Sequence, residues 1–255
     1  MTRGYLALTR AELRLFLREP FSIVFVLAFP LMMMLLLSAV FGNDEADAGE
    51  VVNGIMIWRG VTPTNYYTAA STASVAAALG LLTQPANLAG YREQGILRRM
   101  RASSVPATVV VLTHLSLAVL IVIAGSLVMA AIAWLVFGAM MPVDAIGVLV
   151  ALVAGALTFG TIGLLLASIV SGIRAAQGIG LLLFISIWLI SGTAPPPAVL
   201  PETVREVGAA LPLGHLVTAI QDPWFGQGWD LTSLAALIGY GVAAGIPALW
   251  RFRWD

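Results

Sequence analysis

The sequence predicts an all-α integral membrane protein with six transmembrane helices, an N-terminal amphipathic interfacial helix, an external helical hairpin before the last crossing, and both termini cytoplasmic. Three observations lead there. Of 255 residues, 60% are hydrophobic and 10% charged, and the mean hydropathy is +0.95, more apolar sequence than a soluble core of this size needs. Apolar runs long enough for a bilayer core recur along the whole chain; about 30 Å of hydrocarbon takes roughly 20 helical residues. The arginines fall on alternate connections between those runs.

Residues 1–20 read as a helix lying in the interface. Arg10, Arg14 and Arg18 recur every four residues as a basic stripe, Leu6, Leu13, Phe16 and Leu17 follow helical spacing on another face, and Glu19-Pro20 ends the element. A cleaved signal peptide is the rival reading, with Ala46-Asp47-Ala48 as the cleavage site. Against it, the charged region is long and contains acids, and the apolar run exceeds the usual stretch of about 7 to 15 residues. A single six-span transmembrane domain then occupies residues 21–255.

Its expected crossings are 21–41, 61–82, 107–137, 145–170, 175–191 and 231–250. Pro30 should kink the first, because proline lacks the amide hydrogen and clashes with the preceding turn. Between the last two crossings, residues 192–230 are long yet neither strongly polar nor of low complexity. Pro201-Glu202-Thr203 resembles a helix start, Leu211-Pro212 a break, and 213–220 a second short helix, together a re-entrant hairpin dipping into the outer leaflet.

Charge sets the orientation. Eleven arginines and four acids fall on one side, two arginines and nine acids on the other, giving formal charges of +7 and −7 behind a net charge of zero. The positive-inside rule makes the arginine-rich side cytoplasmic, and an even number of crossings returns both termini to it. The expected location is the inner (plasma) membrane, in multi-pass form.

The residue inventory excludes several chemistries. There is no cysteine, which removes disulfides and thiol nucleophiles, and all thirteen basic residues are arginine, which removes the phosphate-binding loop GxxxxGK[ST]. The crossings contain almost no ionisable side chains, which argues against proton or sodium coupling. His114 and His215 read as structural hydrogen-bonding residues. No catalytic residue, no metal site and no nucleic-acid partner are expected.

The segment from Tyr91 to Pro106 carries four arginines between two apolar runs. Near the bilayer centre, each would cost roughly 2.5 to 3.5 kcal/mol, so the segment lies outside the hydrocarbon. A topology determinant touching anionic lipid is one reading. A docking helix is the sharper one: Asn87 caps its start, Gly95 permits a bend, Leu97 and Met100 form an apolar stripe, Arg98 and Arg101 line an adjacent face, and Pro106 turns into the third crossing.

Here the chain resembles the type-2 permease subunits of ATP-binding-cassette transporters, especially the small, daunorubicin-resistance-like drug exporters. The resemblance runs nearly end to end. It rests on the basic N-terminus, the six crossings, Tyr91-Arg92-Glu93-Gln94-Gly95-Ile96-Leu97-Arg98-Arg99 followed by Ala102-Ser103-Ser104-Val105-Pro106, the proline-rich outer loop, and Leu211-Pro212-Leu213 with His215 behind it. It implies an exporter of amphipathic small molecules, whether drug, antibiotic or lipid-like, working as a dimer with a second copy or a related permease. The resemblance further implies that ATP and Mg belong to a separate ATPase subunit. Tyr91, Arg92, Glu93, Gly95, Leu97, Arg98, Arg99 and Arg101, within a coupling segment at 87–106, would transmit movement of that ATPase.

Two further sets of residues are candidates. Tyr66, Tyr67 and Thr68 with Phe184 and Trp188 would line an apolar substrate path, although ordinary packing explains each of them singly. Gly241 and Gly245 form a GxxxG step for close helix packing, within the chain or between copies. A lipid-modifying membrane enzyme and a channel or structural assembly protein remain the rivals. The acids lack the converging arrangement that an enzyme of this kind requires.

Overall fold

The structure is a computed structural model that describes residues 2–103 and 106–251. Ser104 and Val105 of the expected docking segment, and Arg253 and Asp255 of the tail, lie outside the described residues. Among the described residues the regular structure is helical, apart from a two-stranded antiparallel hairpin, β1 (Val51–Val52) with β2 (Ile55–Met56). It is an all-α membrane protein.

Five helices are long and apolar enough to cross a bilayer: Pro20–Phe41, Thr108–Phe137, Ala145–Ile169, Ile173–Ile190 and Leu231–Arg251. Their outward surfaces carry Leu135, Ile146, Leu182 and Leu231, each about 70% exposed, as an apolar solvent demands. The run expected at 61–82 is built differently. It falls in a continuous helix formed by α4 (Pro63–Ala78), a π turn (Leu79–Thr83) and α5 (Gln84–Glu93). All but one residue of α4 is buried, packed against the helices around it. Serine, threonine and tyrosine are tolerated there because they find partners within the helix and across to its neighbours: Thr68 Oγ1 donates to the Thr64 carbonyl at 2.8 Å, and Trp188 Nε1 of the 173–190 helix donates to Ser74 Oγ at 3.1 Å.

Ahead of Pro30, where a kink is expected, the helix widens. A π turn (Val24–Ala28) joins α2 (Pro20–Ile23) to α3 (Phe29–Phe41), and the Phe29 amide reaches back to the Val24 carbonyl. The same device recurs in the central helix, where the Gln84 amide bonds to the Leu79 carbonyl one residue before Pro85. In each case the wider turn moves aside the carbonyl that the proline ring would otherwise strike.

The consequence lies in the central helix. The Gly80 carbonyl loses its ordinary donor, Gln84, and the Leu81 carbonyl has only Pro85 in the donor position. Glycines close on both. A Cβ on Gly163 of α8 (Ala145–Ile169) would strike the Gly80 carbonyl oxygen, and one on Gly180 of α9 (Ile173–Ile190) the Leu81 carbonyl oxygen, both far inside contact distance. Backbone therefore packs on backbone, an arrangement that favours Cα–H···O contacts.

The remaining elements order the two ends. α7 (Ala107–Phe137) closes with Gly138 in the left-handed conformation, and Asp144 caps α8 through the amides of Ile146 and Gly147. The helical hairpin is α10 (Glu202–Ala210) and α11 (Pro212–Trp224), broken at Leu211-Pro212 as the sequence predicts. Gly208 lets α10 abut the Ile190 carbonyl, and Gly214 lets α11 abut the Gly208 carbonyl. Near the end of α12 (Leu231–Arg251), Ala248 packs with Leu88, Val111 and Leu164, so both ends of the described chain lie at the arginine-rich end.

Candidate functional site: the arginine-rich end

Helix α5 carries straight out of the bundle to Glu93 and breaks at Gly95, whose φ of 66° is left-handed and favours glycine. A second short helix, α6 (Ile96–Ala102), follows at once. The helix start expected at Asn87 is therefore not there. Asn87 lies within α5, which inherits its register from the central helix and needs no new cap.

The expected coupling residues divide into two groups. Leu97 is buried and anchors α6, while Arg98, Arg99 and Arg101 are exposed on it, with Arg99 Nη2 donating to the Gln94 carbonyl at 3.3 Å. Tyr91, Arg92 and Glu93 instead hold the segment to the rest of the molecule. Arg92 donates to the carbonyls of Ala167 and Val170, the latter at 2.9 Å, at the C-terminus of α8. Glu93 Oε1 accepts from the Ile173 amide at 3.1 Å, at the N-terminus of α9.

Two adjacent side chains thus grip both sides of the tight α8–α9 turn. The cation meets the negative end of one helix dipole and the anion the positive end of the next. A side chain at Gly172 would come to 2.7 Å from Glu93 Oε1, so this glycine makes room for the grip.

Tyr91 ties in the N-terminal helix. Its hydroxyl donates to Glu12 Oε2 at 2.6 Å, and Tyr5 donates to Ser116 Oγ at 2.6 Å, so α1 (Thr2–Phe16) docks on α5 and α7. Burial pushes the Glu12 carboxyl above its ordinary value of 4.5, and the bond from Tyr91 opposes this only in part. The native state therefore holds that proton more tightly than the free chain. This contribution to docking is full below about pH 4.5 and is lost as pH rises through the raised native value.

A fluorophore attached through Leu6→Cys, in a chain with no other cysteine, should accordingly show lower anisotropy at pH 8 than at pH 5. Glu12→Gln keeps an oxygen for Tyr91 and should remove that pH dependence. If the variant shows the same pH response as the parent, Glu12 is not the group responsible.

A family model described as ABC-2 type transporter matches residues 3–225. The chain belongs to the ABC-2 type transporter family. It is the membrane component of an ABC-type transporter, not the ATPase, and a multi-pass membrane protein. No curated protein matches it.

In this ABC-2 permease the expected path residues do not converge on one space. Tyr66 and Tyr67 form an aromatic cluster with Phe41 and Trp58 at the arginine-poor end, and Tyr66 donates to the Gly192 carbonyl at 2.9 Å. Thr68 bonds within its own helix. Phe184 and Trp188 are buried against Phe29, with ring centroids 5.8 and 5.3 Å away. Only Tyr67 reaches the larger cleft, about 700 Å³, which it shares with Leu37, Phe41, Trp58, Pro195 and Pro196. Gly241 and Gly245 face Thr158 and Thr161 of α8, where an added Cβ would make ordinary contact, and Thr158 Oγ1 donates across to the Leu237 carbonyl at 2.9 Å. In this chain the GxxxG step packs α12 on α8.

Neither Glu12 nor Gly172 is marked by a motif: Glu12 is one acid among basic neighbours, and Gly172 follows a plain apolar run.

Proposed function

We propose that this permease is the membrane half of an ATP-driven exporter of amphipathic small molecules, of the small drug-exporter type. Its α6 surface is the coupling element, seated on a separate ATP-binding subunit. The observation that carries the reading is the double grip of Arg92 and Glu93 on the α8–α9 turn. Displacement of an exposed basic helix reaches the membrane helices only through rigid attachment, and these bonds provide it.

Six crossings, with the 63–93 helix as the enclosed second one, put the arginine-rich end in the cytoplasm of a cell with this protein in its inner membrane. The hairpin α10–α11 then faces outward and dips into the outer leaflet. A second permease copy completes the path. Its substrates meet an apolar cleft of about 700 Å³, lined by aromatic side chains together with Asp47 and Glu50. That volume lies within the roughly 300–1,000 Å³ of drug-sized sites.

The test is capture and transport. Affinity-purified chain from its native membrane should bring down a GxxxxGK[ST] ATPase identifiable by mass spectrometry. The pair in proteoliposomes should move the amphipathic dye rhodamine 6G only with ATP. Recovery of the permease without an ATPase, or dye movement independent of ATP, would refute the reading.

A further inference from the structure

At the arginine-poor end a smaller cavity of about 220 Å³ lies between the β1–β2 hairpin region, the end of α9 and the α10–α11 hairpin. Its size is below the roughly 300 Å³ at which drug-sized sites begin, so it suits a head group rather than a whole drug. Among the described residues two arginines, Arg59 and Arg205, line this cavity.

They differ in state. Arg59 is committed: it donates to Asp222 Oδ1 at 2.5 Å, Gln221 Oε1 at 3.0 Å and Gln227 Oε1 at 3.1 Å, and Gln227 Nε2 donates back to the Arg59 carbonyl. Arg205 is half-buried and has no hydrogen-bond or ion-pair partner among the described residues.

The bonding of Arg59 also fixes Gln221. With Oε1 taken by Arg59, the amide presents Nε2 as a donor; Nε2 is buried, and its interaction with the Tyr66 hydroxyl falls short of hydrogen-bond geometry. The Ser191 hydroxyl is likewise buried with no partner. Gln221 is 2% exposed and Ser191 4%, and both line the cavity. Such groups are costly to bury without a partner, so both are donors available to a molecule in the cavity.

Among the described residues no carboxylate lines the cavity; Asp222 is paired with Arg59, and Glu202 and Glu206 are exposed on α10. The other lining groups are chiefly apolar, among them Ile55, Ile57, Ile190 and Val217. One unengaged cation, one amide donor and one hydroxyl thus belong to residues lining a single cavity with an apolar wall.

We infer that this cavity is a binding site for the anionic head group, phosphate or carboxylate, of an amphipathic molecule, with Arg205 as the charge partner and Gln221 Nε2 and Ser191 Oγ as the neutral donors. The bonding of Arg59 to Gln221 and Asp222 keeps the site open and in register. This inference needs no ATPase and stands apart from the coupling reading.

The experiment uses the whole chain in phosphatidylcholine nanodiscs and radiolabelled octyl phosphate as probe, with empty nanodiscs subtracting partition. One saturable site per chain is expected. Arg205→Gln should weaken it about tenfold or more, Arg205→Lys less, and Ser191→Ala roughly threefold. Arg251→Gln, a charge loss at the opposite end, should leave it unchanged.

Two arms separate the sources of the anion. Phosphatidylglycerol in the disc displaces the probe if the occupant is a membrane lipid, whereas inorganic phosphate displaces it if a free anion suffices; either result supports the site. Equal binding by wild type and Arg205→Gln, or equal displacement by uncharged octyl glucoside, overturns it. Ser191→Ala removes only a hydroxyl and supplies an independent check if Arg205→Gln fails to fold.

Discussion

Gly180→Ala is expected to stop the bundle from closing, while Gly178→Ala on the same helix is expected to be harmless. The new methyl at 180 meets the carbonyl oxygen of Leu81 far inside contact distance, and that oxygen belongs to the backbone of the enclosed central helix. A flexible side chain would swing away; a helix backbone held on several sides cannot. Helix α9 must therefore retreat, opening its packing along the π turn.

Overpacking of a core costs roughly 1–3 kcal/mol and occasionally more. At 178 the added Cβ has nothing within 4 Å. There alanine should recover up to about 1 kcal/mol of helix propensity. Thermal unfolding and monodisperse yield in detergent read both. Similar yields and melting temperatures for the two variants would show that the glycine–carbonyl contact does not set the α9 position.

Reversing charge on α6 and releasing its grip are expected to fail in different ways. Arg98→Glu with Arg99→Glu changes only exposed side chains, so the permease should fold and dock α1 as before. It should lose capture of the ATPase by at least tenfold, since like-charge placement at an interface costs several kcal/mol.

Arg92→Gln with Glu93→Gln leaves the exposed α6 face in place. It removes the charge from the bonds to Ala167, Val170 and Ile173. Charge-assisted bonds of this kind contribute about 1.5–3 kcal/mol each. ATPase capture should persist while ATP-driven dye transport falls roughly tenfold or more, as the helix slips against the α8–α9 turn. The diagnostic is the split. Were both double variants to lose capture equally, the two groups would belong to one surface, and the separate transmitting role of Arg92 and Glu93 would be wrong.

The path residues show why the remainder of the site was not legible. Tyr66 and Tyr67 are neighbours in sequence, yet one lines the 220 Å³ cavity and the other the 700 Å³ cleft, because adjacent helix positions point about 100° apart. Phe184 and Trp188, four apart on one face, stay together but turn inward to Phe29. Their aromatic character was plain; the direction each faced depended on which helix lay beside it. Asn87 failed as a cap for a related reason. A side chain that suits a helix start marks one only where no helix is already running through it, and the central helix passes Asn87 without interruption.

The sequence by itself determined the class, the chain breaks at Gly95 and Leu211-Pro212, and the grouping of the arginines along the chain. Those depend on summed hydropathy, on local breakers such as Gly95 and Leu211-Pro212, and on the placement of thirteen arginines, all of which act over a few residues or in simple addition. Only the tertiary structure decided which small and polar residues matter. Gly178 and Gly180 look alike in the chain, and one faces open space while the other covers a carbonyl displaced by Pro85. Arg205 and Arg59 look alike too, and one is spent on Asp222 while the other remains unpaired at a cavity. Backbone approach and hydrogen-bond partnership are set by residues up to about 160 positions away, as Arg59 and Asp222 are. No local pattern carries that information.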